Sequence, residues 1–189
     1  MLLRHIMPYE MNKFEEHLLR LSKEDRRLRF GNCKTDETIK QYVSGIGVFD
    51  NVIYGCFDDD LNIIAAVHIA VLRTEEGKIA ELGLSVEREH RGKGYGHELF
   101  KKAVEWGESR GISQLFTQCL RENSYMMKIA RREGMDTTME DGEVLAHLNI
   151  QPQTIPHIGK ELYEECLAWF DFAVKKQFLI LKDITTIPE

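Results

Sequence analysis

Apolar and polar positions change period several times along the chain. Phe14, Leu18 and Leu21 recur at spacings of four and three, which predicts one buried side of a helix. Ser22 then reads as the N-cap of a second helix, with Asp25 in its first turn at the positive end of the helix dipole. From Asn51 the pattern becomes that of strands. Runs over 52–57 and 63–72, separated by Asp58-Asp59-Asp60, predict a hairpin, and the turn Glu75-Glu76-Gly77-Lys78 leads into a third strand over 79–86. After Gly94, Leu99, Phe100, Ala103, Val104 and Trp106 return to helical spacing as far as Gly111, and 112–119 reads as a strand. A helix from Asn123 to about Glu133, closed by Gly134, precedes a last strand over 144–150. Residues from Glu161 to about Phe178 predict a terminal amphipathic helix with Leu162, Cys166, Trp169, Phe170 and Ala173 on one face.

The order strand, loop, helix, strand over 79–119 is a βαβ unit whose two strands run parallel, whereas the preceding strands are antiparallel. The class is therefore mixed α/β (α+β), a mixed sheet flanked by helices. Pro152 and Pro156 place a break near 151–157, dividing the chain into a domain over 1–150 and an extension over 151–189.

Composition narrows the function. The length of 189 residues supports one core without staples. The four cysteines, Cys33, Cys56, Cys119 and Cys166, have no zinc-ligand spacing, so reduced thiols, no metal and a cytoplasmic setting are expected. No stretch has the apolar length of a signal peptide or a membrane span. A net charge of −6 argues against a nucleic-acid partner and is compatible with a cationic one. The cluster Arg26-Arg27-Leu28-Arg29 is expected on a solvated helix face.

The chemistry concentrates between Glu81 and Phe100. Three glycines in five residues, Gly92, Gly94 and Gly96, join a strand to a helix. Such a loop turns tightly, exposes N–H groups and puts a helix N-terminus behind them, a site for a polyphosphate, with Arg91 and Lys93 adding charge. The spelling excludes two nucleotide loops. A Walker A loop needs Lys-Ser or Lys-Thr after its last glycine, where His97-Glu98 stands, and a dinucleotide fingerprint needs glycine at the position of His97.

Arg91-Gly92-Lys93-Gly94-Tyr95-Gly96 resembles the pyrophosphate loop of the GNAT acetyltransferase superfamily, which reads Arg or Gln, any, any, Gly, any, Gly or Ala. Val86 five residues before the loop, Asn123 opening the next helix and Gly134-Met135 closing it fall where that family has comparable features. The likeness runs from about 50 to 150. Residues 21–30 resemble the first-helix segment of GNAT domains related to bacterial protein lysine acetyltransferases, and 151–189 resemble nothing recognised.

The resemblance implies an N-acetyltransferase that uses acetyl-CoA as co-substrate and a primary amine, a small molecule or a protein lysine, as acceptor. It implies that the backbone of Leu84, Ser85 and Val86 pairs with the pantetheine arm. The loop Arg91, Gly92, Lys93, Gly94, Tyr95 and Gly96 would then hold the pyrophosphate, and Asn123 would contact the cofactor, although an asparagine there also serves as an N-cap. An amine must lose a proton before it attacks, and Glu81 is the candidate base. Strand alternation puts Glu81, Gly83 and Ser85 on one face and Leu82, Leu84 and Val86 on the other. A solvent-facing strand glutamate is the alternative. A backbone N–H near Ser85 is the simplest oxyanion donor. The family often has a tyrosine acid where this chain has Ala130; water, Tyr125, a residue from elsewhere or no acid at all are the alternatives, and the departure also leaves room for a non-catalytic acyl-CoA-binding sensor or interaction domain. His68 is expected to be a hydrogen-bonded structural residue and His97 a first-turn helix residue, neither of them catalytic. Edge strands and the terminal helix are possible homodimer surfaces.

Overall fold

The computed structural model describes residues 2–47, 49–140, 142–151 and 156–185. Among the described residues seven strands, β1 (Leu2–His5), β2 (Asn51–Phe57), β3 (Ile63–Thr74), β4 (Gly77–Val86), β5 (Ile112–Leu120), β6 (Asp136–Glu140) and β7 (Glu143–Asn149), form one sheet in the order β1-β2-β3-β4-β5-β7-β6. Every neighbouring pair is antiparallel except β4 and β5. The predicted hairpin, the parallel pair and the strand over 144–150 are all present, and the class is mixed α/β as the pattern implies. Three elements have no counterpart in the apolar pattern: β1, β6 and a helix, α3 (Asp36–Ser44), capped by Thr35.

Two apolar layers cover the sheet. On one face α4 (Tyr95–Ser109) buries Leu99, Phe100 and Ala103, and α5 (Ser124–Arg132) adds Ala130. On the other, α1 (Met11–Arg20) buries Phe14 and Leu18, followed by Leu21, and α3 adds Ile39 and Val43. The short α2 (Lys23–Phe30) lies beside β4 and β5 and starts as expected, with the Ser22 hydroxyl accepting from the Asp25 N–H at 3.1 Å.

The arginine cluster departs from the solvated face expected of it. Arg26 is buried and donates to the Leu19 and Leu21 carbonyls at 2.6 and 3.1 Å, which ties down the exposed end of α1. Arg29 is also turned inward, and only Arg27 pairs at the surface, with Glu24 and Glu122.

The terminal helix α6 (Pro156–Thr185) is longer than expected and rests on β1 by a different face. Trp169 lies on the packed side, but Cys166, Phe170 and Ala173 point outward, and the side chain of Leu162 lies outside the described residues. The face is chosen by Arg4. Its guanidinium, buried in β1, sits 4.3 Å from the Phe57 ring, 4.5 Å from Trp169 and 4.1 Å from Phe172, while Glu10 closes it from below with contacts of 2.6 and 2.7 Å. A cation among three rings is a stronger determinant of helix rotation than an apolar stripe alone. The break expected near 151–157 falls largely on residues outside those described.

Candidate active site

The parallel strands β4 and β5 stay paired only from Lys78–Ile112 to Glu81–Phe116. Beyond that point β5 continues its ladder with β7 as far as Leu120, while β4 from Leu82 to Val86 pairs only with β3. One edge of each strand is therefore open, and the two diverge around a cleft. Leu84, Ser85 and Val86 lie on the open edge of β4, where backbone groups that β5 does not pair can receive an extended ligand, the Val86 carbonyl already accepting one bond from Arg91.

A cavity of about 290 Å³ fills this cleft. It gathers Leu84, Ser85, Val86, Arg91, Gly92, Gly94, Tyr95, Gly96 and Asn123, nine of the residues expected at the cofactor. Lys93 is exposed and does not line it. Gly92 and Gly94 have φ of +76° and +91°, and these left-handed conformations turn the loop so that α4 begins at its end. The N-terminus of α4 carries no side-chain cap, so its first N–H groups are available to an anion.

Arg91 lines this cavity and is also held by the protein itself. Its guanidinium is held by the buried Asp25 of α2 at 2.6 Å and by the Val86 carbonyl at 3.2 Å, and it lies 4.7 Å from the Tyr125 ring. These contacts brace the loop against α2. Asn123 caps α5, with Oδ1 accepting from the Met126 N–H at 3.0 Å and Nδ2 donating to the Leu28 carbonyl at 3.2 Å. Each atom retains capacity for one further bond toward the cavity. Lys128 and Arg132 also line the cavity and supply positive charge that was not assigned from sequence. Their spacing of four on one helix face was the available signal. Ala130 points away, into the core.

Strand alternation on β4 holds. Leu82, Leu84 and Val86 pack toward α4, while Glu81, Gly83 and Ser85 face the N-terminal helices. Ser85 is fixed there by the buried His17 of α1. The ring's Nδ1 meets two acceptors, the Ile63 carbonyl at 3.1 Å and Glu87 at 3.0 Å, so Nδ1 carries the proton and Nε2 accepts from the Ser85 hydroxyl at 2.9 Å. Burial holds the His17 pKa down, against the opposing pull of Glu87. The Ser85 side chain thus anchors β4 to α1, and its backbone is what the cleft receives.

Glu81 is exposed and lies not in the cofactor cleft but in an adjoining cavity of about 390 Å³, with Arg29, Tyr42, His68, Gly83, Gln118 and Glu143 among its walls. Arg29 lines both cavities. His68 sits in a hydrogen-bonded chain, Nε2 donating to Asn51 Oδ1 at 2.8 Å and Nδ1 accepting from the Tyr42 hydroxyl at 2.6 Å. Burial, with help from the Arg29 charge, lowers its pKa to about 4, so it is neutral at pH 7 and structural. His97 likewise ties α4 to α5 through Glu133 at 2.5 Å. Among the described residues no cluster of His, Cys, Asp and Glu is placed to hold a metal, and no helix is long and apolar enough to cross a membrane.

A sequence model described as the acetyltransferase (GNAT) domain matches residues 1–136. Solved structures agree in fold. The GNAT domain of S. lividans PAT superposes with a TM-score of 0.66 at 20% identity, over 78% of this chain and 89% of that one. A GNAT-family acetyltransferase from Streptococcus pneumoniae gives 0.64 at 17%, over 79% and 99%. Arabidopsis thaliana NAA60 in complex with a bisubstrate analogue gives 0.57 at 16%, over 80% and 98%.

Proposed function

Because this chain belongs to the GNAT acetyltransferase family, we propose that it transfers the acetyl group of acetyl-CoA to a primary amine by direct attack. The observation that carries this reading is the divergence of β4 and β5 beside the glycine loop, which sets a loop suited to phosphate and a strand edge suited to an extended arm on one cleft. When bound, acetyl-CoA supplies the activated acetyl group. Leu84, Ser85 and Val86 then receive the pantetheine as an added strand. Gly92, Gly94, Tyr95 and Gly96 offer the pyrophosphate their N–H groups, Lys93 adds charge at the loop's rim, Arg91 braces it and Asn123 reaches the cofactor from α5. A backbone N–H near Ser85 is the oxyanion donor.

The amine enters through the adjoining cavity, where Glu81 takes its proton directly or through a water. With Ala130 in the core, the tyrosine acid of the family has no counterpart at that position. The thiolate of CoA leaves without one, as a thiol of ordinary pKa near 8.5 is an acceptable leaving group. Residues 1–150 form the catalytic domain and 151–189 an extension, working in the cytoplasm with reduced cysteines. The buried Ala130 is also what a non-catalytic acyl-CoA-binding protein would tolerate.

CoA release against a panel of small amines and lysine peptides separates the two. Turnover that Glu81→Gln lowers about 10²- to 10³-fold with acetyl-CoA affinity retained supports the enzyme. Acetyl-CoA binding with no release on any amine supports the sensor.

A further inference from the structure

Arg29 differs from the other arginines around the cleft. Arg20, Arg26, Arg27 and Arg91 each meet a carboxylate, on Glu87, Asp36, Glu24 and Asp25 respectively. Arg29 meets none among the described residues. Its Nη2 donates to the Tyr42 hydroxyl at 3.3 Å, its guanidinium carbon lies 4.8 Å from the Phe30 ring, and its Nε is buried without a partner. Nε itself is closed off, but the guanidinium reaches the cavities with no carboxylate in ion-pair contact, and a cation left without a counter-charge is a position that a ligand anion completes.

The guanidinium lies against the bare backbone of Gly83. A Cβ on Gly83 would come within 1.6 Å of Nη2, so only glycine leaves the arginine its place. That place is the junction of the two cavities, next to the strand segment proposed to carry the acetyl group. Tyr42 gives its own proton to His68, so neither offers Arg29 a negative charge. The other charges among the described residues of the acceptor cavity are the carboxylates of Glu81 and Glu143, and the Gln118 amide that bonds Glu143 leaves its charge in place. The wall thus presents a cation lacking an anion and a carboxylate suited to an ammonium, the complement of a zwitterion.

We infer that Arg29 binds the carboxylate of the acceptor, and that the acceptor is a free amino acid or similar small amino carboxylate whose amine faces Glu81. A protein lysine has its carboxyl locked in a peptide bond and cannot make this contact. The inference rests on the acetyl-transfer reading above and sharpens its substrate class. A dicarboxylic acyl-CoA would bring the same chemistry from the cofactor side, so the test separates the two sources.

CoA release is measured for matched pairs, each proteinogenic amino acid against the amine formed by its decarboxylation. The proteins are the native enzyme and the variants Arg29→Gln, Arg29→Lys and Gly83→Ala. The native enzyme is expected to prefer at least one amino acid over its amine by about 10- to 100-fold in kcat/KM, the range of a hydrogen bond to a charged group. Arg29→Gln erases that ratio, Arg29→Lys restores part of it, and Gly83→Ala shrinks it by displacing the guanidinium. Calorimetry with amino acids alone reads the same preference without turnover. No carboxylate preference in either assay, or a ratio unchanged in Arg29→Gln, overturns the inference. So does a native preference for succinyl-CoA over acetyl-CoA that Arg29→Gln removes, since the carboxylate then arrives on the donor. Acetyl-CoA binding is titrated in every protein, and its absence from the native one counts against the acetyl-transfer reading instead.

Discussion

Replacing Glu10 by Gln strips the counter-charge from Arg4 while preserving side-chain shape. Both groups are buried, Arg4 to 1% exposure and Glu10 to 4%, and they share two short hydrogen bonds. One neutral bond survives the substitution, so the expected loss is about 3 kcal/mol, at the low end for breaking a buried pair. In a chain of this size that lowers Tm by about 6 to 12 °C. The damage extends beyond the pair, because the same guanidinium positions Trp169 and Phe172 of α6. The double variant Arg4→Met, Glu10→Leu removes both charges, fills the aromatic cage with an adaptable side chain and recovers most of the loss. Burial raises the Glu10 pKa, but the hydrogen bond and charge of Arg4 outweigh it and leave the carboxyl below its ordinary value. Its contribution is therefore complete above the usual carboxylate range and fades as pH falls through the lowered value, a limb that Glu10→Gln lacks. Urea unfolding followed by circular dichroism across pH gives all three quantities. A Glu10→Gln loss under 1 kcal/mol, or an unaltered acid limb, refutes the reasoning.

Two further substitutions probe the site's frame. His68, neutral when folded, has a folded pKa of about 4 against 6.5 unfolded, so the unfolded chain takes up its proton first. Stability is full above pH 6.5 and declines by up to about 3 kcal/mol as pH falls toward 4. His68→Gln removes that decline, and its persistence in urea titrations of the variant assigns it to other groups. Asp25→Asn frees Arg91 and loosens the glycine loop, raising the Kd for acetyl-CoA about tenfold through lost preorganisation. An unchanged or tighter Kd would make the Arg91 guanidinium, rather than the loop backbone, the phosphate ligand.

The stretch from β3 to α5 was legible because its signals are local: alternation, turn residues and a glycine loop at a helix start. Helix α3 escaped because only Ile39 and Val43 mark its buried face, too few to declare a period. Strand β6, Asp-Thr-Thr-Met-Glu, is a polar edge strand whose existence depends on its partner β7. The apolar spacing of α6 fits either side and does not single out the packed face: Phe170 (71% exposed) and Phe178 (68%) remain outward while a buried cation selects Trp169 and Phe172. The candidate site divides in the same way. Its cofactor side follows from one contiguous segment, whereas Arg29, Tyr42 and Glu143 converge with Glu81 only through packing across the sheet.

The central claim is a cleft for acetyl-CoA, and isothermal titration of the native protein against Gly94→Glu tests it most directly. Gly94 has φ of +91° and open space where a side chain would begin, so glutamate there strains the turn and sets a negative charge beside the phosphate site. Saturable acetyl-CoA binding by the native protein, lost in a Gly94→Glu variant that still unfolds cooperatively, is the predicted result. A native protein that shows no heat with acetyl-CoA, or a variant that binds it equally well, would contradict the account.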